Sequence, residues 1–261
     1  MKELFTIFGN PINHSKSPLM HNSAFRGLGY NGCYTRYKLE DGSQLREKFF
    51  ELNINGANIT VPHKKEAFKA CDWLDDFAKR VGAVNTIVKR DGKLYGYNTD
   101  ALGFLKAIEE FKNAKRVLLL GAGGTAQATS AILKDAGYIV TILNRSAKRL
   151  EQYREFETYT FETFKITKRY DLIVNMTSAG LEDNILPSPK EILNSVIKDA
   201  QACIDIIYGK ETPFLKLAKS MGVYIKDGSD MLLYQGVIAF RHFTHQKFSF
   251  DEVERYMREA I

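Results

Sequence analysis

Cysteine is scarce in this 261-residue chain. Cys33, Cys71 and Cys203 are the three it has, dispersed and without a C-x-x-C pair. That pattern excludes the disulfide framework of a secreted domain and predicts reduced, buried thiols. No run of about 18 apolar residues occurs, so no helical membrane span is expected. The opening MKELFTIFGN is apolar only briefly and reads as a strand, not a signal peptide. A long Lys/Arg block is also missing, as is any recognisable nucleic-acid module. The 37 basic and 31 acidic residues, a formal net charge of +6, therefore predict attraction of anionic small molecules and no nucleic-acid partner. There are no repeats, low-complexity tracts or disordered linkers. No G-x-S-x-G or paired-carboxylate hydrolase signature is present. His242 and His245 come nearest to a metal pair, but no carboxylate cluster or cysteine completes a set, so surface histidines and no metal are expected. These absences describe a cytoplasmic protein outside the membrane.

What is present is apolar material in the usual proportion: 44% hydrophobic and 26% charged residues. At this length, one large domain or two smaller ones are expected. Strand-like and helix-like segments alternate throughout. LFTIFG reads as a strand, and SPLMHNSAFRGLG as a helix with Ser17 as N-cap and Pro18 at its first position. GCYTRYKL is a strand, QLREKFFEL a helix and GANITV a strand, after which Pro62 opens another helix. Such an order implies parallel strands with crossover helices. AVNTIVKRDGKLYGYN differs, because Asp91-Gly92 between two alternating apolar runs signals a hairpin. ALGFLKAIEEF then reads as a helix able to bridge two domains. From Lys115 a second alternation begins, through RVLLLGAGG, YIVTILNRS, TYTFETF, DLIVNMTS, CIDIIY, FLKLAKSMG and YIK. Two helices, LLYQGVIAFRHF and DEVERYMREA, close it; the latter reads as an amphipathic helix with a solvated face. Trp73, Phe49 and Phe50 read as core. The expected domains are 1–101 with 232–261 packing back on it, and 102–231.

RVLLLGAGGTAQA carries G-x-G-x-x-A at Gly121, Gly123 and Ala126. It follows an apolar run and opens a helix, the context in which this pattern binds a dinucleotide. Gly121 allows a tight turn, Gly123 lets a pyrophosphate approach the backbone, and Ala126 permits close helix–strand packing. The helix N-terminus supplies free N–H groups and a positive dipole end. At the end of the next strand, where an NAD site places Asp or Glu, stand Asn144 and Arg145, then Lys148 and Arg149. A guanidinium binds a 2′-phosphate that a carboxylate would repel, so NADP(H) is the expected cofactor.

Hydride transfer to a carbonyl leaves negative charge on oxygen, and a group must donate there. In NITVPHKKEAF, Lys64 stands just past a strand end, and Asp100 in YNTD ends another. A lysine held by a carboxylate suits this task, with Lys65 left to face water. His14, His21 and His63 are further candidates to line the substrate site, with His63 also readable as structural.

Together, NPINHSKSPLMHN, NITVPHKK, AVNTI, YNTDALGF, GAGGTAQA, NRS, NMTSAG and DGSDMLLYQG resemble the shikimate dehydrogenases, in order and along nearly the whole chain. The resemblance implies an N-terminal, mainly parallel α/β substrate domain, a Rossmann-type NADP domain and a cleft between them. It also implies reduction of 3-dehydroshikimate to shikimate with NADPH, in aromatic amino acid biosynthesis. By position, Lys64 and Asp100 match the catalytic pair, and Ser15 and Ser17 the pair that holds the substrate carboxylate. Thr60, Asn85 and Gln235 match hydroxyl-binding positions, and Asn58 and Tyr208 lesser contacts. Gly121, Gly123, Gly124 and Ala126 would lie at the pyrophosphate. Asn144, Arg145 and Arg149 would lie at the adenosine phosphate, Thr177 and Gly228 along the ribose and nicotinamide, and Met231 near the ring. Two departures fall near the nicotinamide end: Gly209-Lys210, where the family often has Asn-Pro, and Asp230, where it usually has glycine. Two alternatives stay open: a quinate/shikimate dehydrogenase with relaxed cofactor use, and a silent NADPH-binding relative. The expected assembly is a monomer or a homodimer.

Overall fold

The apolar runs of the first hundred residues become strands of one six-stranded sheet in the computed structural model, which describes residues 2–261. Strands β1 (Glu3–Gly9) and β2 (Gly32–Lys38) pair in parallel, with helix α1 (Ser17–Gly27) crossing between them. Helix α2 (Leu45–Glu51) then leads to β3 (Gly56–Ile59), parallel to β1 on its other side. After β3 come α3 (Lys64–Ala70), the two-residue strand β4 (Trp73–Leu74) and α4 (Asp76–Val81). Strands β5 (Thr86–Arg90) and β6 (Lys93–Tyr97) form the expected hairpin, with Asp91 and Gly92 at φ 49° and 71° as a two-residue hairpin turn requires. The sheet order is β2-β1-β3-β5-β6-β4, with β5 antiparallel to both neighbours.

Helix α5 (Asp100–Ala107) follows, and β7 (Arg116–Leu120) begins the second sheet. Helix α6 (Gly124–Asp135), β8 (Ile139–Asn144), β9 (Glu157–Thr160), β10 (Leu172–Asn175), α7 (Lys190–Ile197), β11 (Ala202–Asp205), α8 (Pro213–Ser220) and β12 (Tyr224–Lys226) complete it. Every pairing here is parallel, in the order β12-β11-β10-β7-β8-β9. That is the doubly wound dinucleotide-binding order, whose switch point lies between β7 and β10. A parallel sheet covered on both faces must be apolar on both. Accordingly Val117 and Leu119 enter one core cluster, while Leu118 and Leu120 enter another.

The chain then forms α9 (Ser229–Phe243) and α10 (Phe250–Arg258). It divides into two units, Met1–Gly103 with Leu233–Ile261, and Phe104–Leu232, so the boundaries fall inside α5 and α9. In the first unit α10 packs on α1, where a Cβ at Gly27 would collide with the Tyr256 ring. Phe5, Phe25, Phe240 and Phe243 are all but fully buried and touch ring to ring. Each such burial contributes about 2 kcal/mol, so the last helices are part of this core and not an appendage. Helix α10 starts with a capping box, in which Ser249 and Glu252 satisfy each other's backbone N–H groups.

Several sequence expectations need correction. Ser17 lies inside α1, whose cap position is Lys16, and its N–H is met by Ser15 Oγ at 3.2 Å. The helix after Pro62 opens at Lys64. Trp73 is 45% exposed on the edge strand, in tilted ring contact with Tyr95 and Tyr97. Phe49 is core, but Phe50 is 39% exposed beneath the cations of Arg46 and Lys89. His242 is not an open surface histidine: its ring stacks on Tyr97 at 4.0 Å, and burial lowers its pKa to about 4. Helices α4 and α7 were not anticipated. The first rests on an Asp75 cap and a left-handed Gly82 at its end.

Candidate active site

In the first unit, Lys64 opens α3 immediately after the turn that follows β3. Its Nζ donates to Asp100 Oδ2 at 2.5 Å, although the two residues are 36 positions apart. Both side chains are partly exposed, at 25% and 16%, so the pair is sheltered yet open to a small molecule. Lys65, beside it, is exposed. Asp100 Oδ1 accepts from Asn85 Nδ2 at 2.8 Å, which leaves each carboxylate oxygen with its own donor. Asn58 Oδ1 accepts from the Tyr34 hydroxyl at 2.7 Å, and Asn58 Nδ2 donates to Thr86 Oγ1 at 3.1 Å. Lys64, Asp100, Asn85 and Asn58 thus belong to one hydrogen-bonded group.

Ser15 and Ser17 are both buried and linked to each other. The Arg36 guanidinium donates twice to the Ser15 carbonyl, at 2.5 and 3.2 Å, which anchors this loop to β2. Ser17 is also within hydrogen-bonding reach of the Tyr34 hydroxyl, whose pKa burial pushes well up. Thr60 follows the end of β3, its N–H bonded to the Phe8 carbonyl. Gln235 lies in α9, buried, with its backbone against Gly103 so closely that a Cβ on Gly103 would not fit.

The remaining histidines do not share one role. His14 is exposed. His63 is buried and its Nε2 lies 2.7 Å from the Leu39 carbonyl, a structural bond. His21 is fully buried and stacks on Tyr34 at 4.3 Å, the two rings nearly parallel. Among the described residues neither of its ring nitrogens meets a hydrogen-bond partner, and burial drives its pKa down to about 3, an effect the neighbouring Asn58 only partly offsets.

In the second unit a cleft of about 700 Å³ opens at the switch point. Gly121, Gly123, Asn144, Arg145, Arg149 and Thr177 all line it. Gly121 has φ +108°, and a Cβ there would meet Thr177 Cγ2 at 2.6 Å, so only glycine fits. Around Gly123 and Gly124 a Cβ would meet nothing within 4 Å, which is the open cradle a phosphate needs. The loop's carbonyls are drawn away from that cradle: Tyr153 donates to the Gly123 carbonyl at 3.2 Å and Gln152 to that of Ala122 at 3.4 Å. What remains are the unpaired N–H groups of the first turn of α6, a site for an anion. Ala126 is fully buried and packs the helix onto the sheet. The one carboxylate among the described lining residues, Asp183, accepts from the Gly180 and Ile185 N–H groups, which hold its pKa low. The residues present therefore fit a dinucleotide bearing an extra phosphate.

Thr177 is itself held. Its hydroxyl donates to Asn175 Oδ1 at 2.7 Å, and Asn175 Nδ2 donates to Asp205 at 2.9 Å. Asp205, fully buried, also accepts from Thr212 Oγ1 at 2.7 Å and the Ile207 N–H at 3.0 Å; burial raises its pKa against these bonds. Tyr208 and Met231 also belong to the second unit, Tyr208 half-buried and Met231 packed on the core. Gly228 cannot carry a side chain, because a Cβ would collide with the Ile206 carbonyl. At the two departures, the Gly209 N–H donates to Asp227 and Lys210 to the Leu181 carbonyl, both at 2.8 Å, while Asp230 pairs with Lys226 at 2.8 Å.

The sequence reading missed Tyr34, Thr86, Asn175, Asp205, Tyr153 and Gln152. The signals for Thr86 and Asn175 were in hand: each sits in a quoted motif, AVNTI and NMTSAG. Their partners are dozens of residues away, and spacing cannot show them.

The chain is similar to known proteins along nearly its whole length. The family profile described as shikimate dehydrogenase substrate binding domain matches residues 7–87. A shikimate dehydrogenase (NADP(+)) of Helicobacter hepaticus is 44% identical over 97% of this chain and 96% of its own. The crystal structure of the Aquifex aeolicus shikimate dehydrogenase superposes with a TM-score of 0.85 at 34% identity, covering 98% of both chains. That of Thermus thermophilus, solved in complex with NADP(H) and shikimate, gives 0.84 at 32%, covering 99% of this chain and 100% of that one. With sequence and fold in accord along nearly its whole length, the chain belongs to the shikimate dehydrogenase family.

Proposed function

We propose that this protein is an NADP-dependent shikimate dehydrogenase, reducing 3-dehydroshikimate to shikimate and catalysing the reverse. The observation that carries this reading is the Lys64–Asp100 pair, brought together across 36 residues at 2.5 Å in the first unit. NADPH, when bound, supplies the hydride. Lys64 donates a hydrogen bond, then its proton, to the ketone oxygen as negative charge develops there. Asp100 keeps the ammonium oriented and is itself held by Asn85. In the reverse direction the neutral lysine amine takes the proton from the shikimate hydroxyl. Ser15 and Ser17 hold the carboxylate of the substrate by their hydroxyls, and Thr60, Asn85 and Gln235 pair its ring hydroxyls. Because such pairing leaves polar groups stranded when a hydroxyl is missing, it discriminates strongly between related ring acids. Asn144, Arg145 and Arg149 hold the 2′-phosphate, and Thr177 lies along the ribose.

The test is direct. Purified protein mixed with shikimate and NADP⁺ is expected to raise the absorbance of the reduced nicotinamide. Parallel assays with NAD⁺ and with quinate are expected to give much less. No reaction with shikimate and either cofactor would overturn the reading, and equal rates with quinate would broaden the substrate class.

A further inference from the structure

Behind the pair, a continuous line of buried hydrogen bonds runs from Asp100 back to Tyr34. Asn85 Nδ2 donates to Asp100 Oδ1 at 2.8 Å, while Asn85 Oδ1 accepts the Thr99 backbone N–H at 2.7 Å and lies 3.1 Å from Thr86 Oγ1. Thr86 Oγ1 is 3.1 Å from Asn58 Nδ2, and the Tyr34 hydroxyl is 2.7 Å from Asn58 Oδ1. Thr86 is fully buried, and Tyr34 and Asn58 nearly so.

The chemistry of the donors gives this line a direction. An amide nitrogen has no lone pair to offer, so Asn58 must donate to Thr86. The Thr86 hydroxyl accepts there, and its single proton points forward, to Asn85 Oδ1 or to the Thr99 hydroxyl 3.2 Å away. The donors converging on Asn85 Oδ1 fix which end of the amide faces Asp100. The Asn85 amino group then occupies Asp100 Oδ1, and Oδ2 is left for Lys64. We infer that Thr86 and Tyr34 are positioning residues for the Lys64–Asp100 pair: through Asn58 and Asn85 they fix the rotation of the Asp100 carboxylate that holds the lysine. This inference rests on the reading of Lys64 and Asp100 as the catalytic pair.

Three variants of the full chain test it, each checked for a cooperative melt: Thr86→Val, Thr86→Ser and Tyr34→Phe. Valine keeps the shape of threonine and removes the hydroxyl. It is expected to lower kcat for shikimate oxidation about tenfold, with kcat/KM falling alongside and KM for NADP⁺ unchanged, because small errors of placement act mainly in the transition state. Serine restores the hydroxyl and is expected to retain turnover within about twofold of wild type. Tyr34→Phe, two hydrogen bonds further out, is expected to cost about threefold. Wild-type turnover in Thr86→Val would overturn the inference, as would an equal loss in Thr86→Ser, which would assign the effect to packing of the methyl group. If Thr86→Val does not fold, Tyr34→Phe decides, and an unchanged kcat overturns the inference. An inactive wild type would instead overturn the function on which it rests.

Discussion

The two units are built from the same number of strands and solve different problems. The second is a wholly parallel sheet whose cleft gathers around a glycine loop and the residues at and just past strand ends. The first is a mixed sheet whose candidate chemistry is made of side chains, joined over sequence separations of 36 for Lys64–Asp100 and 28 for Asn58–Thr86. A phosphate can be held by main-chain N–H groups that any sequence supplies, provided glycines permit the approach. A ketone that must be protonated needs a particular side chain at a particular place. The backbone site is therefore tolerant and local, and the side-chain site exacting and distributed.

Breaking each unit separately should expose this difference. The largest effect is expected from Lys64→Met, which should lower kcat by roughly 10² or more while leaving NADPH binding, followed by fluorescence, unchanged. Unimpaired turnover would remove Lys64 from the chemistry. Next, replacing Arg145 and Arg149 by alanine should weaken NADP⁺ by about 10- to 100-fold, the scale of losing charge-assisted hydrogen bonds, and leave NAD⁺ use untouched. Ratios of kcat/KM for the two cofactors measure it.

A smaller and purely energetic effect concerns His21. Its folded pKa, lowered to about 3, lies below the ordinary value, so between the two the unfolded chain binds a proton that the folded one does not. Stability must then fall as pH falls below about 6.5, and by pH 5 this one ring costs about 2 kcal/mol. In His21→Phe the difference in unfolding free energy between pH 7 and pH 5, from urea titrations at each pH, should shrink by about that amount. A difference as large as wild type would show that His21 does not titrate this way. The smallest effect is expected from Ser249→Ala, which removes the capping box of α10 and should cost about 1 kcal/mol by thermal unfolding, without touching turnover per folded molecule.

The same contrast explains what could be read from the chain before its structure. The β7–glycine loop–α6 segment was plain, because a local motif and its fold context occupy one stretch. So was the hairpin at Asp91-Gly92. The basic pair Arg145 and Arg149 was placed by its position past the end of the next strand, and both residues line the cleft. Lys64 and Asp100 could only be nominated, since no spacing rule says that a turn after β3 meets the start of α5. Thr86 lay inside the motif AVNTI, yet its role, like that of Tyr34, could not be read: a buried threonine and a buried tyrosine look like ordinary core until their partners are known. Trp73 and Phe50 failed in the opposite sense. Their apolar character suggested burial, but an edge strand and a stacked arginine leave large rings half open to water. Helix α7 was lost because its eight residues follow a loop rich in proline and polar side chains.

One feature of the first unit bears on how the protein is made. Phe5 and Phe25 emerge from the ribosome early, yet the rings they pack against, Phe240 and Phe243, are synthesised after the whole of the second unit. The unit begun first is thus completed last, and in the interval its aromatic face waits unclosed while a contiguous neighbour can already fold. For a growing polypeptide that interval is the period of greatest exposure to chaperones and to misassociation.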